Sequence, residues 1–476
     1  MITEAVRKEL LAVVGPRGVL EREEDLRLYE FDGGVDKARP DIVVFPRTTE
    51  QTAAIARIAQ KHEIPLVGRG AGTGLSGGAI ARQGGIMVGF SRMNRILEID
   101  LENERAVVEP GVVNLDLTNA VAPMGYFYAP DPSSQKACTI GGNVAENAGG
   151  PHTLIYGVTV NHVLGLEAVL PGGRVIQTGA RWPDSPGYDL TGLLTGSEGT
   201  LALVTKIIVR LMRKPEAVRT FLAIYDSVDD CAATVAEITA RAITPAALEM
   251  LDGTLLRMVE EATHAGYPLD AAGVLLIELE GMQEAVDEQA GQIRAACEAC
   301  HAREFRTARN AQERDLLWKG RKNAFGAIGR VSPFFYVHDG MVPRSKIPAT
   351  LRQIGVIGSR YGLTISNIFH AGDGNMHPII LFDARKPGDI ERAQRAGFDI
   401  LEYCVSAGGA ITGEHGIGME KIDLMHKQFS EETISLMRRL KEAFDPAQLF
   451  NPGKMLPGRG CAEIRQPPIL KPADLL

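Results

Sequence analysis

The chain has 476 residues, of which 45% are hydrophobic and 23% charged, and its formal net charge is −8. This length exceeds what one hydrophobic core usually serves, so two or three domains are expected. The acidic balance, without a long run of Lys or Arg, removes the general electrostatic basis for binding nucleic acid or an anionic membrane. No apolar run is long enough to span a bilayer, and residues 1–15 lack the uninterrupted apolar region of a secretion signal. We therefore predict a globular cytoplasmic protein.

Six cysteines are spread thinly along the chain, which fits a reducing compartment better than a disulfide framework. They are Cys138, Cys231, Cys297, Cys300, Cys404 and Cys461. Residues 297–301 spell the CxxCH attachment pattern of c-type haem, but a lone CxxC recurs by chance and this one falls in a strongly helical run. We interpret Cys297 and Cys300 as surface or packing residues of a helix.

Strand and helix patterns alternate along the chain and predict α+β domains. Residues 41–46 and 64–67 read as strands around a helix at 48–62, which makes a βαβ unit. Further strands are predicted at 85–90, 105–109, 164–170 and 201–211. Composition shifts at Pro215, so the first module is expected to span residues 1–215.

A second α+β domain is predicted for residues 216–410. Its expected strands lie at 221–225 and 273–280, and its expected helices at 229–241 and 282–306. The final stretch, 411–476, contains two helical patterns and could return to the first domain. We find no internal repeat and no low-complexity segment.

The first glycine-rich tract, residues 68–78, follows a predicted strand and contains the letters of a dinucleotide fingerprint. That fingerprint must open directly into a helix, whereas Gly77, Gly78, Gly84 and Gly85 interrupt any helix here. We favour a loop of successive backbone N–H groups around a diphosphate, over a Rossmann turn or a purely structural turn. The tract at 139–150 has the same character, so the pair predicts a dinucleotide. No nucleoside-triphosphate P-loop or serine-nucleophile motif appears.

A set of histidines and one carboxylate lies among glycines in the second half of the chain. His370 and His377 flank one glycine-rich segment, and Glu414 and His415 lie in another. Residues 364–369 alternate as a strand, so His370 should lie at a strand end, and the glycines exclude an ordinary helix. Two imidazoles and a carboxylate suit a divalent cation with an open coordination position and a base beside it. Turn histidines satisfied by hydrogen bonds are the alternative at this point.

Together these segments resemble the FAD-linked oxidase family over essentially the whole chain. GRGAGTGLSGGA, APDPSS, IGGNVAENAGG, GSEGTL, HAGDGNMH, GEHGIG and NPGK occur in the family's order. The resemblance is greatest to the quinone-linked branch that oxidises glycolate, with D-lactate and D-2-hydroxyglutarate dehydrogenases as relatives. It implies an α+β fold in which a two-subdomain FAD-binding domain of the vanillyl-alcohol oxidase type carries an α+β cap for the substrate. The C-terminal segment would complete the FAD site and the active site.

The resemblance also implies that FAD is bound without a covalent link, because Thr73 stands in the loop where some related flavoproteins attach it to a histidine. The implied cofactor-binding residues are Arg69, Gly70, Ala71, Gly72, Thr73, Gly74, Gly77, Gly78, Pro130, Asp131, Ser133, Ser134, Thr139, Gly141, Gly142, Asn143, Asn147, Gly149, Glu198, Gly199 and Asn451.

For the chemistry, the resemblance assigns His370, His377 and Glu414 as ligands of a divalent metal, zinc or manganese. His415 would take the hydroxyl proton as C2 delivers hydride to flavin N5. Arg321 would grip the C1 carboxylate of the substrate, for which a bidentate guanidinium is well suited. Without the resemblance, Arg321 would be interpreted as a solvated helix charge.

Two departures from the hydroxyglutarate branch bear on substrate size. Ile379 and Phe325 stand where that branch has a polar residue and a threonine. The second carboxylate of a hydroxyglutarate substrate would lie against an apolar wall formed by these two side chains. It would be buried unpaired, at a cost of several kcal/mol. Glycolate or D-lactate is therefore favoured.

No iron–sulfur motif is present, so the resemblance implies an iron–sulfur subunit and a second FAD-domain subunit that pass electrons to quinone at the inner membrane face. Two other classes of function remain. A metal-dependent hydrolase or lyase could use the same ligands to activate water, and a noncatalytic flavin subunit could serve a catalytic partner. The yellow colour of bound flavin would exclude the first class, and the intact metal and base residues disfavour the second.

Overall fold

The computed structural model describes residues 2–182 and 186–458, and its first layer is a four-stranded sheet. The strands are β1 (Val19–Leu20), β2 (Ile42–Val44), β3 (Leu66–Arg69) and β4 (Ile86–Gly89). The helices are α1 (Glu4–Val14), α2 (Glu23–Leu26) and α3 (Thr49–Lys61). The spatial order is β1-β2-β4-β3, parallel except for β1. Every residue of β2 and β4 is buried, as in parallel strands covered on both faces. The predicted βαβ unit is thus confirmed.

The second layer is an antiparallel sheet of five strands in the order β5-β6-β10-β8-β9. Its strands are β5 (Ile96–Asp100), β6 (Arg105–Val108), β8 (Val163–Val169), β9 (Val175–Gly179) and β10 (Leu203–Arg210), and a separate two-stranded ribbon pairs β7 (Tyr126–Phe127) with β11 (Met212–Arg213). The helices are α4 (Asn114–Val121), α5 (Ile140–Glu146), α6 (Thr153–Tyr156) and α7 (Leu190–Leu194). The apolar side chains of β6, β8 and β10 pack with those of α4 and α5 in one buried cluster.

An eight-stranded antiparallel sheet forms the second half of the fold, in the order β15-β12-β14-β13-β18-β19-β16, with β17 also paired to β19. Its strands are β12 (Ala217–Tyr225), β13 (Ala247–Asp252), β14 (Gly273–Gly281), β15 (Glu304–Thr307), β16 (Phe334–Val337), β17 (Gly340–Met341), β18 (Thr364–His370) and β19 (Asn375–Phe382). The helices are α8 (Val228–Ala240), α9 (Gly253–Thr263), α10 (Gln283–Ala299), α11 (Ala311–Lys322), α12 (Ala324–Ile328), α13 (Ile347–Tyr361) and α14 (Asp389–Ser406). Apolar clusters cover both faces of this sheet.

The chain then returns to the first sheet. After α15 (Met425–Gln428) and α16 (Glu431–Phe444), the backbone runs beside the edge strand β3. Leu66 N–H donates to the carbonyl of Leu449 at 2.8 Å, and Asn451 N–H donates to the carbonyl of Leu66 at 2.8 Å. The structure therefore brings the last described residues against the start of the first glycine tract. The domain boundaries at residues 215 and 410 stay predictions.

Two local predictions need correction. The helix predicted for 282–306 ends at Ala299, and 304–307 form the edge strand β15, because α10 stops where the chain must turn to pair with β12. The central strand β13 was not predicted. The tract at 139–150 is no open loop: the Thr139 hydroxyl accepts the N–H of Gly142 and caps α5. In the first tract, by contrast, no helix follows the glycines among residues 70–85, as predicted.

The five cysteines within the described ranges are free thiols. Cys297 is buried in α10 and Cys300 caps its C-terminus, so the interpretation as helix cysteines is confirmed. Cys461 lies outside the described residues, as do the other positions of the predicted C-terminal segment beyond residue 458. None of the described helices has the length and apolar character that crossing a bilayer requires.

Candidate active site and cofactor cavity

One cavity is lined by both glycine tracts and by residues of the eight-stranded sheet of the cap. Its wall includes residues 68–75 and 132–134 from the first half of the chain. At the cap end the wall contains all five residues predicted for catalysis and metal binding, namely Arg321, His370, His377, Glu414 and His415. The structure therefore brings the two predicted sites together in a single cavity.

The predicted cofactor residues divide into two groups. Those that line the cavity are Arg69, Gly70, Ala71, Gly72, Thr73, Gly74, Gly78, Ser133, Ser134, Thr139, Gly141, Gly142, Asn143, Glu198 and Gly199. Those outside its wall are Gly77, Pro130, Asp131, Asn147, Gly149 and Asn451. Some of the second group support the wall. The Asn451 amide donates to the carbonyls of Gly78 and Glu198 at 2.8 and 2.7 Å, which ties the first glycine loop to a second wall segment.

The first glycine loop forms a tight cradle around a buried guanidinium. Gly72 has a φ of +71°, which favours glycine, and a Cβ on it would meet the Arg69 guanidinium, which lies against the loop. Arg69 Nη1 is buried and has no hydrogen-bond partner among the described residues. The Lys454 ammonium donates hydrogen bonds to the carbonyls of Gly77 and Ile80, in the same loop region. A buried cation beside a glycine loop fits the diphosphate of a dinucleotide.

The β18–β19 hairpin places the two histidines of the predicted metal set. His370 is the last residue of β18, as predicted, and His377 is the third residue of β19. Their rings are perpendicular, with centroids 5.1 Å apart. The Glu414 carboxylate completes the set from the loop at residues 413–416, called the GEHG loop below. Its Oε1 lies 3.0 Å from His370 Nε2 and 3.2 Å from His377 Nε2. The three ligand atoms converge closely enough to hold one metal ion.

The buried Asp339 carboxylate holds the GEHG loop in place. It accepts the backbone N–H groups of Gly413, Glu414 and His415 and the hydroxyl of Thr412. Burial alone would raise the pKa of Asp339, but the nearby His415, Lys421 and His377 lower it to about 2. Asp339 therefore remains a carboxylate, and it sets the positions of the predicted ligand and the predicted base together.

The electrostatics of the site differ from one histidine to the next. Burial opposes the charged form of His370, yet Glu249 and Glu414 raise its pKa well above the ordinary value. Two carboxylates thus stabilise positive charge at this point, whether it is a proton or a metal ion. His415 is different, because burial lowers its pKa to about 4. Its ring is neutral near pH 7, and its buried Nδ1 has no protein partner in the described part of the chain.

Arg321 is buried rather than solvated, which corrects the interpretation based on its helix alone. It projects from α11 into the cavity wall and is 2% exposed. Its Nε lies 2.6 Å from Glu249 Oε2. Beside it, Phe325 and Phe335 stack at a centroid distance of 6.4 Å and line the cavity together with Val337.

Of the two residues expected to form an apolar wall, the structure places only one there. Phe325 lines the cavity, whereas Ile379 is fully buried in the cap core and does not reach it. Ile379 lies on β19, two residues beyond His377 and opposite Val337 of β16, and it belongs to the buried cluster against which Phe325 and Phe335 pack. Phe335 and Val337 take its place in the wall.

Sequence reasoning missed Glu249 and Asp339. Each is a fully buried carboxylate, and each contacts a residue that was predicted for the site. The only local signal for Glu249 is a charge in the otherwise apolar run ALEML, because a carboxylate in a buried strand requires a partner. For Asp339 the sequence HDGM offers no comparable signal.

Comparison with known families gives the class of protein. Residues 40–179 match an FAD binding domain, and residues 214–455 match the C-terminal domain of FAD linked oxidases. The crystal structure of p-cresol methylhydroxylase aligns with a TM-score of 0.81 at 20% identity, covering 95% of this chain and 97% of that one. The 4-ethylphenol oxidase from Gulosibacter chungangensis gives 0.76 at 21%, covering 96% and 97%. The predicted FAD-binding fold of the vanillyl-alcohol oxidase type is confirmed, and the chain is an FAD-dependent oxidoreductase.

Curated relatives define the family more narrowly. The glycolate oxidase subunit GlcD of Escherichia coli strain K12 is 46% identical over 448 residues, covering 94% of this chain and 90% of the relative. The subunit of the same name in Bacillus subtilis strain 168 is 43% identical over 457 residues, covering 96% and 97%. The D-lactate dehydrogenase of Anaerostipes hadrus is 32% identical over 456 residues, covering 93% and 95%. The chain belongs to the FAD-linked oxidase family.

Proposed function

We propose that this chain oxidises a small 2-hydroxy acid, with glycolate as the first candidate and D-lactate as the second. The observation that carries the proposal is the single cavity in which Arg321, His415 and the three converging residues His370, His377 and Glu414 face the glycine loops. The names of the relatives, a glycolate oxidase subunit and a D-lactate dehydrogenase, support the same substrate class. Family membership in turn argues against the metal-dependent hydrolase or lyase.

Two bound groups fit the cavity. The first glycine loop with the Arg69 guanidinium would hold the FAD diphosphate, and His370, His377 and Glu414 would hold a divalent cation, zinc or manganese. When bound, FAD supplies a hydride acceptor and the cation supplies a Lewis acid that lowers the pKa of a hydroxyl group.

The protein groups divide the remaining work. The Arg321 guanidinium binds the carboxylate of the substrate, and because Glu249 holds its Nε, the orientation of the guanidinium is set before the substrate arrives. His415 accepts the hydroxyl proton on its neutral ring, which the buried environment keeps in the base form. Phe325, Phe335 and Val337 exclude water from the substrate end.

We expect the substrate preference to follow from this apolar wall. Glycolate and D-lactate should exceed D-2-hydroxyglutarate by at least about tenfold in kcat/KM, which requires only about 1.4 kcal/mol of differential transition-state stabilisation. A panel of 2-hydroxy acids assayed with an artificial dye acceptor measures this ratio. Comparable turnover of D-2-hydroxyglutarate would contradict the assignment, and no turnover of any 2-hydroxy acid would contradict the proposed function.

We further propose that FAD is held without a covalent bond. The first glycine loop contains no histidine or cysteine, and burial raises the pKa of the Cys138 thiol in the cavity wall, which keeps that thiol a poor nucleophile. Acid or heat denaturation of the yellow protein should release all its flavin into the supernatant, measured by absorbance. Flavin that sediments with the chain would show a covalent link.

The final acceptor of the electrons lies outside this chain in our proposal. The sequence contains no iron–sulfur motif, and two relatives carry the name of a subunit. We therefore propose that an iron–sulfur subunit and a second FAD-domain subunit complete a complex that passes electrons to quinone.

A further inference from the structure

Glu249 joins two parts of the site that the proposed function treats separately. It lies in β13, between β14 and β18, and is fully buried. Its Oε1 lies 2.8 Å from His370 Nδ1. Its Oε2 lies 2.6 Å from Arg321 Nε and 2.5 Å from Arg321 Nη2. One carboxylate thus contacts both a proposed metal ligand and the proposed substrate-binding arginine.

The His370 contact fixes which ring nitrogen carries the proton. A carboxylate opposite Nδ1 requires a hydrogen there, so the lone pair of the neutral ring stays on Nε2. That nitrogen faces Glu414 Oε1 at 3.0 Å, where the cation would bind. Partners of this kind hold the ring orientation of a metal ligand and strengthen its basicity.

The contact with Arg321 fixes the orientation of the guanidinium that would bind the substrate carboxylate. Because Glu249 occupies the Nε edge of the planar guanidinium, the rest of the group is held in one orientation at the cavity wall. Leaving either partner unpaired in a fully buried position would cost free energy, so the three side chains should behave as one unit.

We propose that Glu249 is a positioning residue that couples binding of the substrate carboxylate at Arg321 to binding of the cation at His370. This inference rests on the proposed function. It predicts that loss of Glu249 weakens both kinds of binding together, although Glu249 itself would contact neither the cation nor the substrate.

The test is Glu249→Gln, measured without turnover. Zinc affinity would be followed by elemental analysis after dialysis at set free zinc concentrations, and carboxylate affinity by the change in flavin absorbance on titration with acetate, which lacks the hydroxyl group. The neutral amide has only one acceptor oxygen, so it cannot hold both partners in the arrangement that the carboxylate gives them. We expect zinc affinity to fall about 10–100-fold, the usual effect of losing such a partner, and acetate affinity to fall at least about tenfold.

Glu278→Gln is the matched control. Glu278 is a fully buried carboxylate on the neighbouring strand β14 and also binds an arginine, with Arg314 Nη2 at 2.7 Å, but it contacts neither His370 nor Arg321. The Glu278→Gln substitution should lower the melting temperature and leave the zinc and acetate affinities unchanged. If Glu249→Gln does not fold, Glu249→Asp keeps the charge but is too short to hold both partners, and should weaken both affinities as well.

The outcomes separate this inference from the proposed function. A folded Glu249 variant in which either the zinc or the acetate affinity is unchanged would overturn it, as would equal losses in Glu278→Gln. Wild-type protein that binds no divalent metal would contradict the proposed metal site itself, and the coupling would fall with it.

Discussion

Replacement of His415 by alanine should lower kcat by about 10²–10⁴-fold, the usual contribution of a general base. The reason is specific to this ring, which burial keeps neutral and which is stacked on His377 with ring centroids 4.9 Å apart. The three proposed ligands are left in place, so bound metal and FAD should be retained. Dye-coupled turnover, metal content by elemental analysis and flavin absorbance together check the prediction.

A half-exposed histidine of the same C-terminal segment provides the control. His426 lies outside the cavity wall and pairs only with Glu431 in the described structure, at 3.5 Å. His426→Ala should leave kcat unchanged. A His415→Ala variant that loses its metal, or one that keeps full activity, would show that His415 is not the base.

His377→Ala should abolish metal binding at ordinary concentrations and lower activity with it. The substitution removes one of three converging ligands, and high metal concentration should restore part of the activity. FAD should remain, because the glycine loops that would hold its diphosphate lie in the first half of the chain. Metal content and dye-coupled turnover at rising zinc or manganese concentrations measure both effects.

The two histidine variants serve as controls for each other. Loss of metal in His415→Ala together with its retention in His377→Ala would reverse the two roles. If the wild-type protein binds no divalent metal and chelators leave its rate unchanged, the histidines would bind the substrate directly by hydrogen bonds, and the metal half of the proposal would be wrong.

The sequence by itself determined the features that depend on neighbours along the chain. The strand that ends at His370 followed from an alternating pattern that runs into glycines, and the open first loop followed from glycines that no helix tolerates. These predictions hold because backbone conformation and strand alternation are properties of adjacent residues. The second tract shows the limit, since the Thr139 cap was enough to make a short helix there.

Only the tertiary structure decided which distant groups meet. Arg321 reads as one more charge on its helix until β13 places Glu249 beside it, and Asp339 has no local signal for the three N–H groups it accepts. Ile379 and Phe325 were equivalent candidates for the substrate wall, but Ile379 of β19 is buried in the core, whereas Phe325 lies on α12 and lines the cavity. Such contacts join segments far apart in the chain, where no periodicity or spacing records them, and the burial of a charge becomes favourable only once its partner is in place.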